Sequence, residues 1–242
     1  MKRIVLPLLL LTGVASFGQS SILKKASSVL NKAKGGTGTT SLSNDEIVSG
    51  LKEALSVGAK NSANKLSAVD GFFANAAIKV LMPPEAKKVE TALRTAGMGK
   101  LVDNAILSMN RAAEEASKSA APIFVNAITS MSITDALNIL KGSDTAATGY
   151  LRGKTVSALT SAFRPVIDTA LSKTAATSYW KTVFDAYNKL PTTFNKINPD
   201  LAGYVTEKSL SGMFFQVAQE EQKIRKDPAA RVSDILKKVF GS

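Results

Sequence analysis

Ser43-Asn44-Asp45-Glu46-Ile47-Val48-Ser49-Gly50-Leu51-Lys52-Glu53-Ala54-Leu55 decides the fold class. Ser43 and Glu46 stand at the spacing of a capping box, in which hydroxyl and carboxylate each satisfy a free backbone N–H at a helix start. Behind them Ile47, Leu51, Ala54, Leu55, Ala59 and Leu66 recur at the helical period and mark one apolar face. Asp70-Gly71-Phe72-Phe73 then breaks the helix.

The same alternation of helix and breaker continues down the chain. Met82-Pro83-Pro84-Glu85 restarts a helix, with Pro84 suited to a first turn, and Gly97 stops it as a C′ residue. Leu101, Ala105, Met109, Ala112 and Ala116 mark a long helix expected to reach Ala121, where Pro122 kinks or ends it. Phe124, Ala127, Ile128 and Met131 form the next apolar face, and Ile133 to Leu140 reads as a short helix stopped by Gly142. Ser143-Asp144 is expected to cap a long helix through Ala147, Leu151, Val156, Leu159 and Phe163, interrupted at Pro165. Tyr179 to Tyr187 makes an aromatic-rich helix, read as core. Asn198-Pro199-Asp200 opens another helix, through Leu201, Val205, Met213, Phe214, Val217 and Ile224, in which Gly203 and Gly212 permit bends or close contacts. Asp227-Pro228 ends it, and Ala229 to Phe240 reads as a terminal helix. Ile78 to Met82 is the single strand candidate, and one extended run makes no sheet. The fold class is therefore all-α, a single multi-helix, bundle-like domain over residues 43–242.

The residues ahead of this domain read as an address and a tether. Met1-Lys2-Arg3 is basic, Ile4 to Leu11 is apolar apart from Pro7, and Ser16-Phe17-Gly18 places small residues before Gln19. That order is a secretory signal peptide over 1–18, and it implies export through the Sec pathway to the periplasm or the medium. Residues 19–34 read as a basic amphipathic segment: Ile22, Leu23, Ala26, Val29, Leu30 and Ala33 share an arc, opposite Lys24, Lys25 and Lys32. Residues 35–42, rich in Gly, Thr and Ser, read as a flexible linker.

Composition excludes several chemistries. Among 242 residues there is no Cys and no His. Disulfide scaffolds, thiolate nucleophiles, Cys/His zinc sites and His-dependent triads are removed together. No acidic loop shows a calcium pattern, and Gly35-Gly36-x-Gly38 does not follow a strand, so no cofactor is expected. The formal charge is +12, from 31 Lys+Arg against 19 Asp+Glu. In an exported protein this balance points to anionic envelope surfaces, with a possible weak contact between residues 19–34 and an anionic membrane, and not to nucleic acid.

The candidate site residues are polar groups set among small apolar ones. Asn110, Arg111 and Glu114 lie within one turn or so of each other, and Glu221 with Arg225 stands in the favourable i,i+4 order. Arg231 adds a cation beyond a turn, and Tyr150 with Arg152 lies near the start of the central helix. One reading makes these a polar cleft, where guanidinium forks hold a small anionic ligand or an envelope partner. The other makes them surface pairs and a few buried ion pairs that fix helix register.

At these residues the chain resembles an exported, uncharacterised bacterial family catalogued only as a domain of unknown function. The resemblance rests on Gly50-Leu51-Lys52-Glu53-Ala54-Leu55, Asp70-Gly71-Phe72-Phe73 and Ser108-Met109-Asn110-Arg111-Ala112-Ala113-Glu114. It continues through Asp144-Thr145-Ala146-Ala147-Thr148-x-Tyr150, Glu221-x-x-Ile224-Arg225-x-Asp227-Pro228-x-x-Arg231 and Leu236-Lys237-Lys238-Val239-Phe240-Gly241. It covers about residues 45 to 241 and departs at Ser211-Gly212, where Asp-Gly is expected. It implies an all-helical exported protein and brings no activity with it. The leading expectation is a non-enzymatic domain that binds a ligand or partner through an Arg/Glu-lined cleft. The alternatives are a carboxylate-dependent hydrolase of envelope glycan or lipid using Glu114 and Glu221, and a membrane-surface scaffold using residues 19–34.

Overall fold

The computed structural model describes residues 43–174, 180, 200–227 and 237, all within the unit Leu42–Ser242. The signal peptide, the basic segment, the linker, the terminal helix and all of the aromatic helix but Trp180 lie outside the described residues.

Seven α-helices carry the described chain: α1 (Asn44–Ser67), α2 (Lys87–Thr95), α3 (Gly99–Ser117), α4 (Ala120–Thr129), α5 (Ile133–Lys141), α6 (Ala146–Ser172) and α7 (Leu201–Lys226). No strand occurs among the described residues. The capping box at Ser43 and Glu46 is formed, and a second one joins Ser132 and Asp135 at the start of α5. Asp200 caps α7 by accepting the Gly203 N–H at 2.9 Å. Gly97 ends the α2 region with φ +79°, a left-handed conformation that costs a glycine little.

Two helix boundaries differ from the sequence expectation. The long helix stops at Ser117, not Ala121, and Pro122 becomes the third residue of α4. A proline has no N–H to give, and only in a first turn is none required. Pro165, expected to interrupt, lies inside a continuous α6. It sits on the exposed side of that helix, so the carbonyl it leaves unbonded faces water.

Most of the core is one cluster, with Ala54 and Ile224 forming a small one beside it. α6 packs against α3 and α7, and α1 closes the bundle against α7, α4, α3 and α5. Phe72, Phe124, Phe163 and Phe214 are fully buried, with Phe124 and Phe214 meeting edge to face at 5.8 Å. α3 contributes Ala112, Ala113 and Ala116, all fully buried, so neighbouring backbones can approach closely. α4 and α5 are bent 106° apart, and no single described helix is long and apolar enough to cross a membrane.

At Gly212 α7 packs closely on the 70–82 connection. A Cβ there would lie 2.6 Å from the Phe72 ring and 3.3 Å from Ile78 Cβ. Phe72 is fully buried and has no room to retreat. Gly212→Ala is expected to lower unfolding free energy by about 1–3 kcal/mol, measured by urea titration.

Candidate functional site

Glu221 is where α7 meets the start of α6. The expected Ser143-Asp144 cap is not made: Thr145 occupies the N-cap position and offers no side-chain bond. Glu221 takes over that role from another helix. Its Oε1 accepts the Ala147 N–H at 3.0 Å, and its Oε2 accepts the Thr148 N–H at 2.9 Å and the Thr148 hydroxyl at 2.8 Å. A carboxylate is favoured there by the free N–H groups and the helix dipole. One turn on, Arg225 donates to Glu221 Oε1 through Nε and Nη2, at 3.0 and 2.9 Å. The same guanidinium donates to the carbonyls of Ile139 and Leu140, at 2.8 and 3.4 Å, in the last turn of α5. Glu221 and Arg225 thus join the end of one helix to the start of the next. Asp144 pairs instead with Lys226 at 2.7 Å on the surface, which holds its carboxyl below the usual range.

Glu114 and Asn110 do the equivalent for the connection between α1 and α2. Glu114 Oε1 accepts the N–H groups of Phe72 and Phe73, at 3.1 and 3.2 Å. Its Oε2 accepts Arg111 Nη1 at 2.6 Å, and Arg111 Nη2 reaches Asp70 at 2.7 Å. Glu114 first and Asp70 second hold the guanidinium charged. Asp70 itself is in the left-handed region, φ +67°, in the turn this network closes. Asn110 accepts the Val80 N–H at 2.9 Å and donates to the Val80 carbonyl at 2.8 Å and to Ile106 at 2.7 Å. Ile78 to Met82, the strand candidate, is thus a run outside helix whose ladder partner is one side-chain amide.

The structure therefore brings Asn110, Arg111 and Glu114 together, and Glu221 with Arg225, as two separate networks with no shared partner. Both carboxylate side chains are 4% exposed and bonded to the protein's own donors. Arg152 lies over the Phe214 ring at 4.5 Å and covers the core. Tyr150 lines a hollow of about 430 Å³ with Asp135 and Lys154, where burial, then the Asp135 charge, pushes its hydroxyl up. Arg231 lies outside the described residues.

A larger feature escaped the sequence reading. A groove of about 530 Å³ runs between residues 77–84 and α7, lined among others by Lys79, Lys87, Lys208, Tyr204, Leu81 and Phe215. No acidic side chain lines it among the described residues. Its lysines come from three elements, so no window of sequence shows them as a patch. Ser211 and Gly212, where the family resemblance departs, line this groove. Tyr204 donates its hydroxyl to the Leu81 carbonyl at 3.0 Å across the groove. Burial, then Glu85 and Glu207, raises that hydroxyl, so it keeps its proton and its bond.

An all-helical domain whose buried carboxylates serve its own backbone is the class these observations define. The chain belongs to the family described as Protein of unknown function (DUF4197), whose model matches residues 41–241. No curated protein and no solved structure matches it.

Asn110→Ala strands the buried Val80 N–H and carbonyl, and is expected to cost about 2–5 kcal/mol in a urea titration. Acid should act through the exposed pairs. Asp135, held by the Ser132 hydroxyl and N–H, titrates below its usual range, as does Asp144. At Asp200 burial opposes the charge, yet the Gly203 N–H and Arg164 bring its carboxyl down as well. Groups depressed in the folded state stabilise it above their unfolded pKa and lose that contribution as pH falls through the folded one. Urea midpoints are expected to hold near neutrality and to drop below about pH 4, less steeply in Asp144→Asn.

Proposed function

We propose that this is an exported envelope protein that binds and does not transform, holding an anionic ligand or partner segment in the lysine-lined groove. One observation carries the reading: three lysines border a single groove, and none has a carboxylate partner among the described residues. Lys79 instead rests over the Phe73 ring at 3.8 Å, and Lys208 near the Tyr204 ring at 5.5 Å. Like charges brought to one concavity repel each other unless an anion joins them. Beneath them Val80 and Met82 are buried, while Leu81 and Phe215 are 55% and 41% exposed. An occupant with negative charge and some apolar surface answers both properties. The hydrolase reading draws less support, because Glu114 and Glu221 each spend both oxygens on donors within the fold. The basic N-terminus, as a signal peptide, supports export.

Native mass spectrometry of the mature protein recovered from a bacterial envelope tests this. The expected result is loss of residues 1–18 and an anionic adduct that is released on denaturation. The adduct should be absent from a folded Lys87→Glu/Lys208→Glu variant. An adduct retained by that variant would move the site elsewhere, and an intact N-terminus would end the export reading.

A further inference from the structure

We infer that the groove takes an extended acidic peptide, added as a strand along the outer edge of residues 79–81. This rests on the anionic-groove reading above and specifies its occupant.

The argument starts from the backbone. In an extended chain, successive residues present their N–H and C=O groups to opposite sides. Val80 turns both of its groups to Asn110, on the α3 side. Leu81 turns its carbonyl the other way, to Tyr204 on α7. The Leu81 N–H is therefore directed to the groove side. It has no hydrogen-bond partner among the described residues, nor has the Lys79 carbonyl. A carbonyl and an N–H on either side of one residue are the two halves of a parallel bridge: one peptide residue donates to Lys79 and accepts from Leu81. Such an edge is a template for strand addition, and here it is rigid before binding because Asn110 holds its inner side.

The groove's other properties fit the same occupant. Side chains alternate along an added strand, so one set faces the exposed Leu81 and Phe215 surface while carboxylates reach Lys79, Lys87 or Lys208. Glu85, just before α2, and Glu207, on α7, stand close enough to act on Tyr204 and so direct an acidic chain's carboxylates to the lysines. An open-sided groove also suits a chain that enters sideways better than a buried tail.

The test uses the full mature protein and a capped peptide alternating valine and glutamate. Nitrogen–proton spectra are expected to show slowed hydrogen exchange at the Leu81 amide in the complex. Two changes that leave charge untouched should each weaken binding about tenfold, the scale of one lost hydrogen bond. One is N-methylation of the peptide's central residue. The other is Leu81→Pro compared with Leu81→Val: both trim the exposed side chain, but only proline removes the outward N–H, and it keeps the preceding residue extended. A lysine-for-glutamate peptide should not bind. If the N-methylated peptide binds as tightly as its parent, strand addition is wrong, whether or not Leu81→Pro folds. If dodecanoate binds and is lost in Lys87→Glu/Lys208→Glu while acidic peptides do not bind, the peptide inference fails and the anionic groove stands. If neither probe binds, both fail.

Discussion

Burying a carboxylate in a core of alanines and phenylalanines sets the terms for the rest of this structure. A charge removed from water needs several donors at once, or it loses more than its Coulomb partner returns. Glu114 and Glu221 meet that demand with backbone N–H groups that have no other acceptor, plus one arginine each. The need runs both ways. The first turn of α6 and the Phe72–Phe73 turn would otherwise bury orphan donors. Each network therefore fixes one geometry: α7 against the α5–α6 junction, and α3 against the connection after α1.

Asn110 extends this logic to a segment with neither helix nor sheet. A lone extended run beside a helical bundle leaves backbone groups unpaired on both edges. The primary amide supplies a donor and an acceptor in one plane, as a peptide group would, and satisfies one edge. The other edge borders the groove. The groove is thus a by-product of how the connection is anchored: the bonds that hold Val80 to α3 leave the outer side of residues 79–81 beside three lysines and Tyr204.

Much of the helical plan was legible because its signals are local. The box at Ser43 and Glu46, the Asp200 start, the Gly97 and Gly142 stops and the Asp227 end each depend on residues within a turn of one another. The Pro122 and Pro165 expectations missed for opposite reasons: one proline moved a boundary so as to sit in a first turn, and the other was tolerated because its face is wet. The paired character of Arg111 with Glu114 and of Glu221 with Arg225 was also legible, because each pair lies within one turn of its own helix; that they form two networks and no single cleft was not.

Their partners outside their own helices were not. The sequence by itself determined that the domain is helical, where most helices start and stop, and that Asn110, Arg111, Glu114, Glu221 and Arg225 are special. Only the tertiary structure decided that Glu221 caps α6 in place of Ser143-Asp144, and that Glu114 closes a turn 41 and 42 residues away. Likewise it alone assembled Lys79, Lys87 and Lys208 around one groove. Helix formation is governed by interactions over three or four residues. Capping from another helix and the gathering of charge depend on which elements pack together, and that is written in no single stretch of chain.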